Sequence, residues 1–415
     1  MTINPNLPPP SIIAGFNEPT VIGLGLTQTI GYGTLYYAYG VLAPAISRDF
    51  GVSLDWFFGA FTIGLLLGGV VAPLVGSQLD RRGARIVMTF GSVLAAIALV
   101  ACALSPNLWL FAVSIVLAEG ATCLVVYEAA FAGLIQIYGH DARRRITAVT
   151  LMAGFASTIF WPLTQWMLTT FDWRWTLVIF AVAHLLICAP LHFAVLRRAA
   201  PTKTPSESNP DIRADEPLSL TGLDRRRALI FYTAAVVVSG LVYSAFPVHM
   251  LRIIQNEGFT AEAAALIAMV MGPAQVLARL LEFVGGHRID PLMTGRLALG
   301  ALAIGIALLL ATPGTVVTAV LFAALYGAAQ GLFIIARATI PLQLFGTKGY
   351  ATLVGRITGI RFLANAASPF LFALAMTRFS VDTAILISGI LAILAFAAIL
   401  MLKPPGKAGS VSPVA

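Results

Sequence analysis

The sequence predicts an all-α integral membrane protein, with twelve transmembrane helices arranged as two pseudo-symmetric six-helix bundles. Three observations carry that expectation: a shortage of charge, the spacing of the charges present, and an internal repeat. Of 415 residues, 59% are hydrophobic and 11% charged, whereas a soluble domain carries about a quarter charged residues. No charge lies between Asp55 and Asp80, between Arg174 and Arg197, between Arg227 and Arg252, or between Asp382 and Lys403. Each gap approximates the roughly 20 residues that carry a helix across a bilayer core. Helix is the form that fits, because lipid offers backbone N–H and C=O groups no partners. A constant offset of 207 pairs Gly51 with Gly258, Ser53 with Thr260, Gly139 with Gly346 and Pro162 with Pro369. Four matches at equivalent places mark a repeat of six helices plus six.

Apolar runs bounded by turn and charge signals place the first six spans at 19–46, 54–79, 86–104, 108–135, 147–169 and 174–196. The second six fall at 227–250, 260–284, 296–312, 316–339, 357–376 and 383–402. The Pro-rich start, Asn4 to Pro10, lacks the basic region of a signal peptide, so 1–18 reads as a cytoplasmic tail. Residues 19–196 then form the N-terminal bundle, 197–226 a cytoplasmic linker, 227–402 the C-terminal bundle and 403–415 a second cytoplasmic tail. The stretch Pro201 to Asp224 is rich in Pro, Ser, Thr, Asn, Asp and Glu, as a solvated linker is.

The net charge of +8 belongs to the membrane topology and not to nucleic acid. With both termini inside, nineteen of the 26 Lys and Arg residues fall in cytoplasmic segments, among them Arg81, Arg82, Arg85, Arg143, Arg144 and Arg145. Only Arg48, Arg174, Arg252 and Arg378 fall outside. That asymmetry is the positive-inside pattern, and an odd number of spans would destroy it. It places the chain in a cell (inner) membrane as a multi-pass protein. Cys102, Cys123 and Cys188 sit in three different spans with no metal-ligand spacing, so neither a disulfide framework nor a metal is expected. No Walker loop, HExxH or GxSxG element occurs in the sequence, which argues against ATP hydrolysis and hydrolytic chemistry. No cofactor is expected.

The loop Gly76-Ser-Gln-Leu-Asp80-Arg81-Arg82-Gly83-Ala84-Arg85 between spans two and three resembles the signature loop of the major facilitator superfamily. Ala84 replaces a frequently basic position and leaves Arg85 to supply that charge. Asp172-Trp173-Arg174-Trp175 resembles an element common at the start of span six in that superfamily, and Gly285-Gly286-His287-Arg288-Ile289-Asp290 is a degraded second copy of the loop. The resemblance implies a secondary transporter working by alternating access as a functional monomer, on a small-molecule substrate held between the halves and coupled to H+. Gly76, Asp80, Arg81, Gly83 and Arg85 would then form a cytoplasmic gate, Gly83 permitting the turn while Asp80 and the arginines pair with each other and with helix ends. Span one, Gly31 to Gly40, and the loop Arg48 to Gly51 resemble the monocarboxylate and oxalate–formate branch. That branch carries an Asp and, four residues later, a carboxylate-binding Arg in span eight. Here the matching positions are Gln275 and Arg279, so the resemblance keeps the carboxylate-binding position but lacks the acid on which the usual Asp-linked proton coupling depends.

Charges inside spans mark candidate pathway residues. Glu128, after Tyr127 in span four, is either a proton-titrating carboxyl or an acid paired with an arginine of another helix. Arg279 is either an anion clamp, its planar fork matched to a carboxylate, or an intrahelical partner of Glu282. Arg337 and Arg361 lie toward the cytoplasmic ends of their spans, where they snorkel or pair at the inner gate. Glu119 reads as an outer-gate or interfacial residue. Gln28, Tyr32, Tyr36 and Tyr39 recur at i, i+4, i+8 and i+11, one helix face suited either to a wet cavity or to helix packing. Trp161 and Gln165 flank Pro162, and Asn365 precedes Pro369 by four residues, which makes both prolines candidate bending points. Gly64, Gly68 and Gly69 have small-residue spacing for helix contact. A small organic anion is the preferred substrate. Drug or toxic-metalloid efflux by proton antiport is the alternative within transport, and a transporter-like membrane sensor the alternative outside it.

Overall fold

The computed structural model describes residues 18–196, 220–285, 289–312 and 314–404. Those residues form helices joined by short turns, with no strand among them. We label the helical segments α1 (19–50), α2 (Leu54–Arg82), α3 (Ala84–Ala103), α4 (108–138), α5 (142–170) and α6 (Trp173–Val195) in the first half. The second half holds α7 (Gly222–Asn256), α8 (Ala261–Gly285), α9 (Pro291–Ala311), α10 (Val316–Phe345), α11 (Tyr350–Arg378) and α12 (Val381–Leu400). Ten helices among the described residues are long and apolar enough to cross a membrane, one of them running 63 residues from Leu108 to Thr170. The expected tails over 1–17 and 405–415, most of the linker (197–219) and Gly286, His287 and Arg288 of the second loop copy lie outside the described residues.

Several helices outrun their apolar cores. α7 begins at Gly222 and not at 227, so the last residues of the expected linker are helical: Thr221 is extended at the N-cap and Asp224 lies in the first turn. α5 begins at Ala142 where 147 was expected, and α11 at Tyr350 where 357 was expected. An apolar run marks the stretch that lipid can cover, and hydrogen bonding carries the helix on past it.

The repeat has a conformational basis. Gly51 and Gly258 end α1 and α7 at φ +66° and +90°, and Gly139 and Gly346 end α4 and α10 at +57° and +77°. Such values favour glycine over residues with a Cβ. Ser53 Oγ accepts from the Trp56 N–H and Thr260 Oγ1 from the Ala263 N–H, so both copies of the hydroxyl cap the next helix.

Two apolar cores lie wholly within the halves, and a third joins them. One gathers residues between Ile30 and Cys188, another residues between Ala228 and Leu402. The joining core sets Val75, Leu79, Phe131 and Ile135 beside Phe283, Leu342, Tyr350 and Ala351. α2 and α11 meet through glycines. A Cβ on Gly76 would lie 2.2 Å from the Ala351 carbonyl oxygen, and one on Gly355 2.6 Å from that of Ala72. Gly69 and Gly359 face each other in the same contact, so backbone approaches backbone there.

Two local breaks shape the interior. A π turn at Gly33–Tyr37 adds a residue to one turn of α1, and Gly33 lets the Phe160 ring pack onto its backbone. In α4 the helix breaks at Val126, whose φ is −90° and ψ −167°. Gln28 Nε2 donates to the Val125 carbonyl at 2.7 Å and satisfies a group freed by that break.

Gly76→Val should force α2 from α11 and destabilise the protein by about 1–3 kcal/mol, read as a lowered unfolding temperature in detergent. Gly59→Ala, where an added Cβ meets nothing within 4 Å, should leave that temperature unchanged.

Candidate functional site

Polar groups buried in a bilayer need partners, and here the two halves supply them to each other. Glu128 on α4 accepts from Arg361 Nη2 on α11 at 3.0 Å and lies 3.8 Å from Arg337 Nη1 on α10. The paired alternative for Glu128 is therefore the arrangement observed. Arg337 and Arg361 turn inward to this carboxylate and do not snorkel outward. Tyr232, Tyr350 and Thr358 line the small cavity around the three charges.

Arg279 is 2% exposed, and its Nη1 donates to the Thr150 carbonyl on α5 at 2.7 Å. Glu282 does not take it as an intrahelical partner. That carboxylate instead accepts from Arg143 Nη2 at 2.7 Å and from Thr147 Oγ1 at 2.8 Å, both on α5. Arg143 also donates to the Ile289 carbonyl and to Thr294 Oγ1. Among the described residues no carboxylate lies within ion-pair distance of Arg279, and its Nε has no partner. The Tyr127 hydroxyl lies within hydrogen-bonding reach of Arg279, and Tyr37 shares its field.

The tyrosine face of α1 is split by the π turn. Tyr32 packs on Tyr127 with ring centroids 4.5 Å apart, and Tyr127 stacks on Phe131. Tyr36, half exposed, meets Tyr37 and Phe61. Tyr39 leaves that face: it is 1% exposed, packed on Phe57 and Phe61 inside the first half. The extra residue in the turn rotates everything after it, so the i+11 spacing no longer returns Tyr39 to the face of Gln28. Gln28 itself is fully buried against α4. Tyr37, which the spacing passed over, takes the place beside Arg279 and Trp161, its ring 6.0 Å from the indole.

Gln275 Nε2 donates to Gln330 Oε1 at 2.9 Å. Asn365 packs on Gly240, while its backbone oxygen accepts from Ser244. Trp161 and Gln165 are exposed on α5. His184 and His192, which sequence reasoning did not single out, bond Thr34 and Ser92 at 2.8 and 2.9 Å and tie α6 to α1 and α3.

Asp80 binds a helix end, not the neighbouring arginines. Its Oδ2 accepts from the Thr352 N–H at 2.7 Å and from Thr352 Oγ1 at 2.6 Å, and Oδ1 accepts from the Ala351 N–H at 3.2 Å. It thus caps α11 across the seam, at the end where the helix dipole favours a negative charge. Gln136 fixes the loop by accepting from the Ala84 N–H and donating to the Leu79 carbonyl. Gly83 turns it at φ +84°. Arg85 lies over the Phe193 ring at 3.7 Å, and Arg81 is exposed. Arg143 with Glu282 and Asp80 with Thr352 join the halves at this end of the molecule. The polar contacts of the opposite end stay within each half: Arg174 with Asp49, and Asn256 with Asp382.

The sequence profile described as Major Facilitator Superfamily matches residues 24–369, and the chain belongs to that family. Monocarboxylate transporter 11 of Mus musculus is 27% identical over 259 residues, 60% of this chain and 55% of that protein. The gentisate transporter of Corynebacterium glutamicum is 25% identical over 348 residues, 78% of this chain and 74% of that one. The solved proton:xylose symporter XylE shares the fold at 14% identity, with a TM-score of 0.70 over 93% of this chain and 96% of its own. The protein is a multi-pass membrane transporter and not an enzyme.

Asp80→Asn should weaken the α11 cap by about 1–2 kcal/mol. Spin labels on Arg82→Cys and Lys348→Cys, read by double electron–electron resonance, should then show a larger long-distance population. An unchanged distribution would remove the cap from the gate.

Proposed function

We propose that this major facilitator carries a small organic anion by alternating access coupled to protons. Arg279 is the observation that carries the anion reading: a buried guanidinium at the junction of the halves, beside two phenols, with no carboxylate of its own. A buried charge left unpaired is costly, and a substrate carboxylate would supply the missing partner in the bidentate geometry that Arg favours. The surroundings point the same way. Arg337 and Arg361 share one carboxylate, Glu128, and Arg279 has none within ion-pair distance among the described residues, so this cluster holds more arginines than carboxylates. A cationic drug would meet repulsion there. The relatives named as monocarboxylate and gentisate transporters fit a carboxylate cargo.

Twelve crossings follow if Leu108–Thr170 crosses twice. As one straight helix its 63 residues would reach about 95 Å against a hydrocarbon core of roughly 30 Å, and the turn at Gly139 divides it. Segment 19–50 is long enough for the remaining crossing. The positive-inside pattern then sets both termini and the Asp80 loop in the cytoplasm, most naturally of an inner membrane. In that orientation Asp80–Thr352 and Arg143–Glu282 hold the cytoplasmic side shut, and substrate passage inward requires both to break. The molecule works as a monomer in this reading, with Gln28, Tyr32, Tyr36, Tyr127, Trp161, Gln165, Gln275 and Asn365 around the path. Tyr39 contributes packing.

Counterflow of labelled gentisate and pyruvate in proteoliposomes tests the clamp. Arg279→Lys keeps the charge but loses the fork, and it should weaken apparent affinity by about tenfold or more, ~1.4 kcal/mol. Unaltered affinity with normal expression would reject Arg279 as the anion ligand.

A further inference from the structure

A second carboxyl lies in the seam beyond the reach of the arginine cluster. Glu119 on α4 is 1% exposed, and neither of its carboxyl oxygens has a hydrogen-bond partner. Its stem packs on Gly64, where an added Cβ would come within 2.6 Å of the Glu119 Cβ, so the glycine is what lets α2 close over it. The carboxyl borders a cavity of about 50 Å³ between α2, α4 and α11. Leu65, Ala72, Val126 and Phe362 make that lining largely apolar, and Glu128 stands at its far end.

The titratable groups around Glu119 offer it no positive charge. They are Tyr36 and Tyr39 from α1, Cys102 from α3 and Cys123 from its own helix. α2 presents no titratable side chain between Asp55 and Asp80, and on α11 the nearest cation, Arg361, is engaged by Glu128. An ionised carboxylate placed here would stand desolvated and unpaired, and such a group takes up a proton instead. The branch's own proton-linked acid is absent, since Gln275 occupies that position with its amide on Gln330.

We propose that Glu119, and not Glu128, is the proton-carrying carboxyl of this transporter, held as the neutral acid in the state seen here. The proposal rests on the proton-coupled reading above. In loading, hydronium gives its proton to the carboxylate and leaves water. In discharge, water on the other side takes the proton and the carboxylate is restored, so no further reactant is needed. Glu128 borders the same cavity, and a rearrangement that parts Arg361 from it frees a guanidinium as the counter-charge for discharge.

Infrared difference spectra of the purified protein in lipid nanodiscs, stepped from neutral to alkaline bath, test this without a substrate. The wild type should show the C=O band of a buried carboxylic acid. Glu119→Gln, an isostere of the neutral acid, should lose the band, Glu119→Asp should restore it at a shifted frequency, and Glu128→Gln should keep it. A full band in Glu119→Gln, or none in the wild type, would overturn the proposal. In pyranine-loaded proteoliposomes with gentisate as the probe, the protons moved per gentisate should fall toward zero in Glu119→Gln, and a wild-type ratio would count against it. If the wild type moves no gentisate, the substrate reading fails, while the infrared band still decides the role of Glu119.

Discussion

A charge carried out of water into a low-dielectric interior must either meet an opposite charge or lose its own, and the seam between the halves is organised by that demand. Glu128 is met by Arg361 and Arg337, and Glu282 by Arg143. Among the described residues Arg279 meets a backbone carbonyl and the Tyr127 phenol but no carboxylate. Glu119 has no hydrogen-bond partner among them. The first two cases are settled inside the protein. In the proposed reading the other two await something from outside, an anion for the guanidinium and a proton for the carboxyl, and their place at one seam would couple them.

The same groups make the halves separable. Cores within each half are apolar and closed, as Phe57, Phe111 and Phe180 on one side and Phe246, Phe322 and Tyr326 on the other illustrate. Across the seam the joining apolar core is accompanied by contacts of a different kind: glycine backbones in van der Waals touch, a carboxylate on a helix end, and ion pairs that water can replace. Breaking such contacts costs far less than parting an interdigitated core, because water rehydrates the charges as the seam opens. In the proposed alternating-access reading, the interface is where two arrangements would exchange while each bundle keeps its own core.

Much of this was legible in the chain. Helix positions follow from apolar length, and the 207-residue offset marks glycines that both adopt positive φ and hydroxyls that both cap a helix. The Asp80 loop was recognisable, and of the two partners expected for Asp80, arginines and helix ends, it takes a helix end, that of α11. Partners across a seam leave no mark in local spacing. For that reason the Arg143–Glu282 pair and the carboxylate-free setting of Arg279 emerged only from the fold. Tyr39 was misplaced for a different reason: periodicity assumes an unbroken α-helix, and the π turn at Gly33–Tyr37 shifts the phase. Glu119 read as an outer-gate or interfacial residue because its burial depends on Gly64 of another helix.

The central claim is that an organic anion completes the charge of Arg279 between the two halves. A structure of the protein with 4-bromobenzoate, its bromine located by anomalous scattering, tests this most directly. The expected result is a carboxylate within about 2.7–2.9 Å of the Arg279 guanidinium nitrogens, between α1, α4, α5 and α8. A ligand bound only at the lipid-facing surface, with Arg279 still held by the Thr150 carbonyl alone, would contradict it.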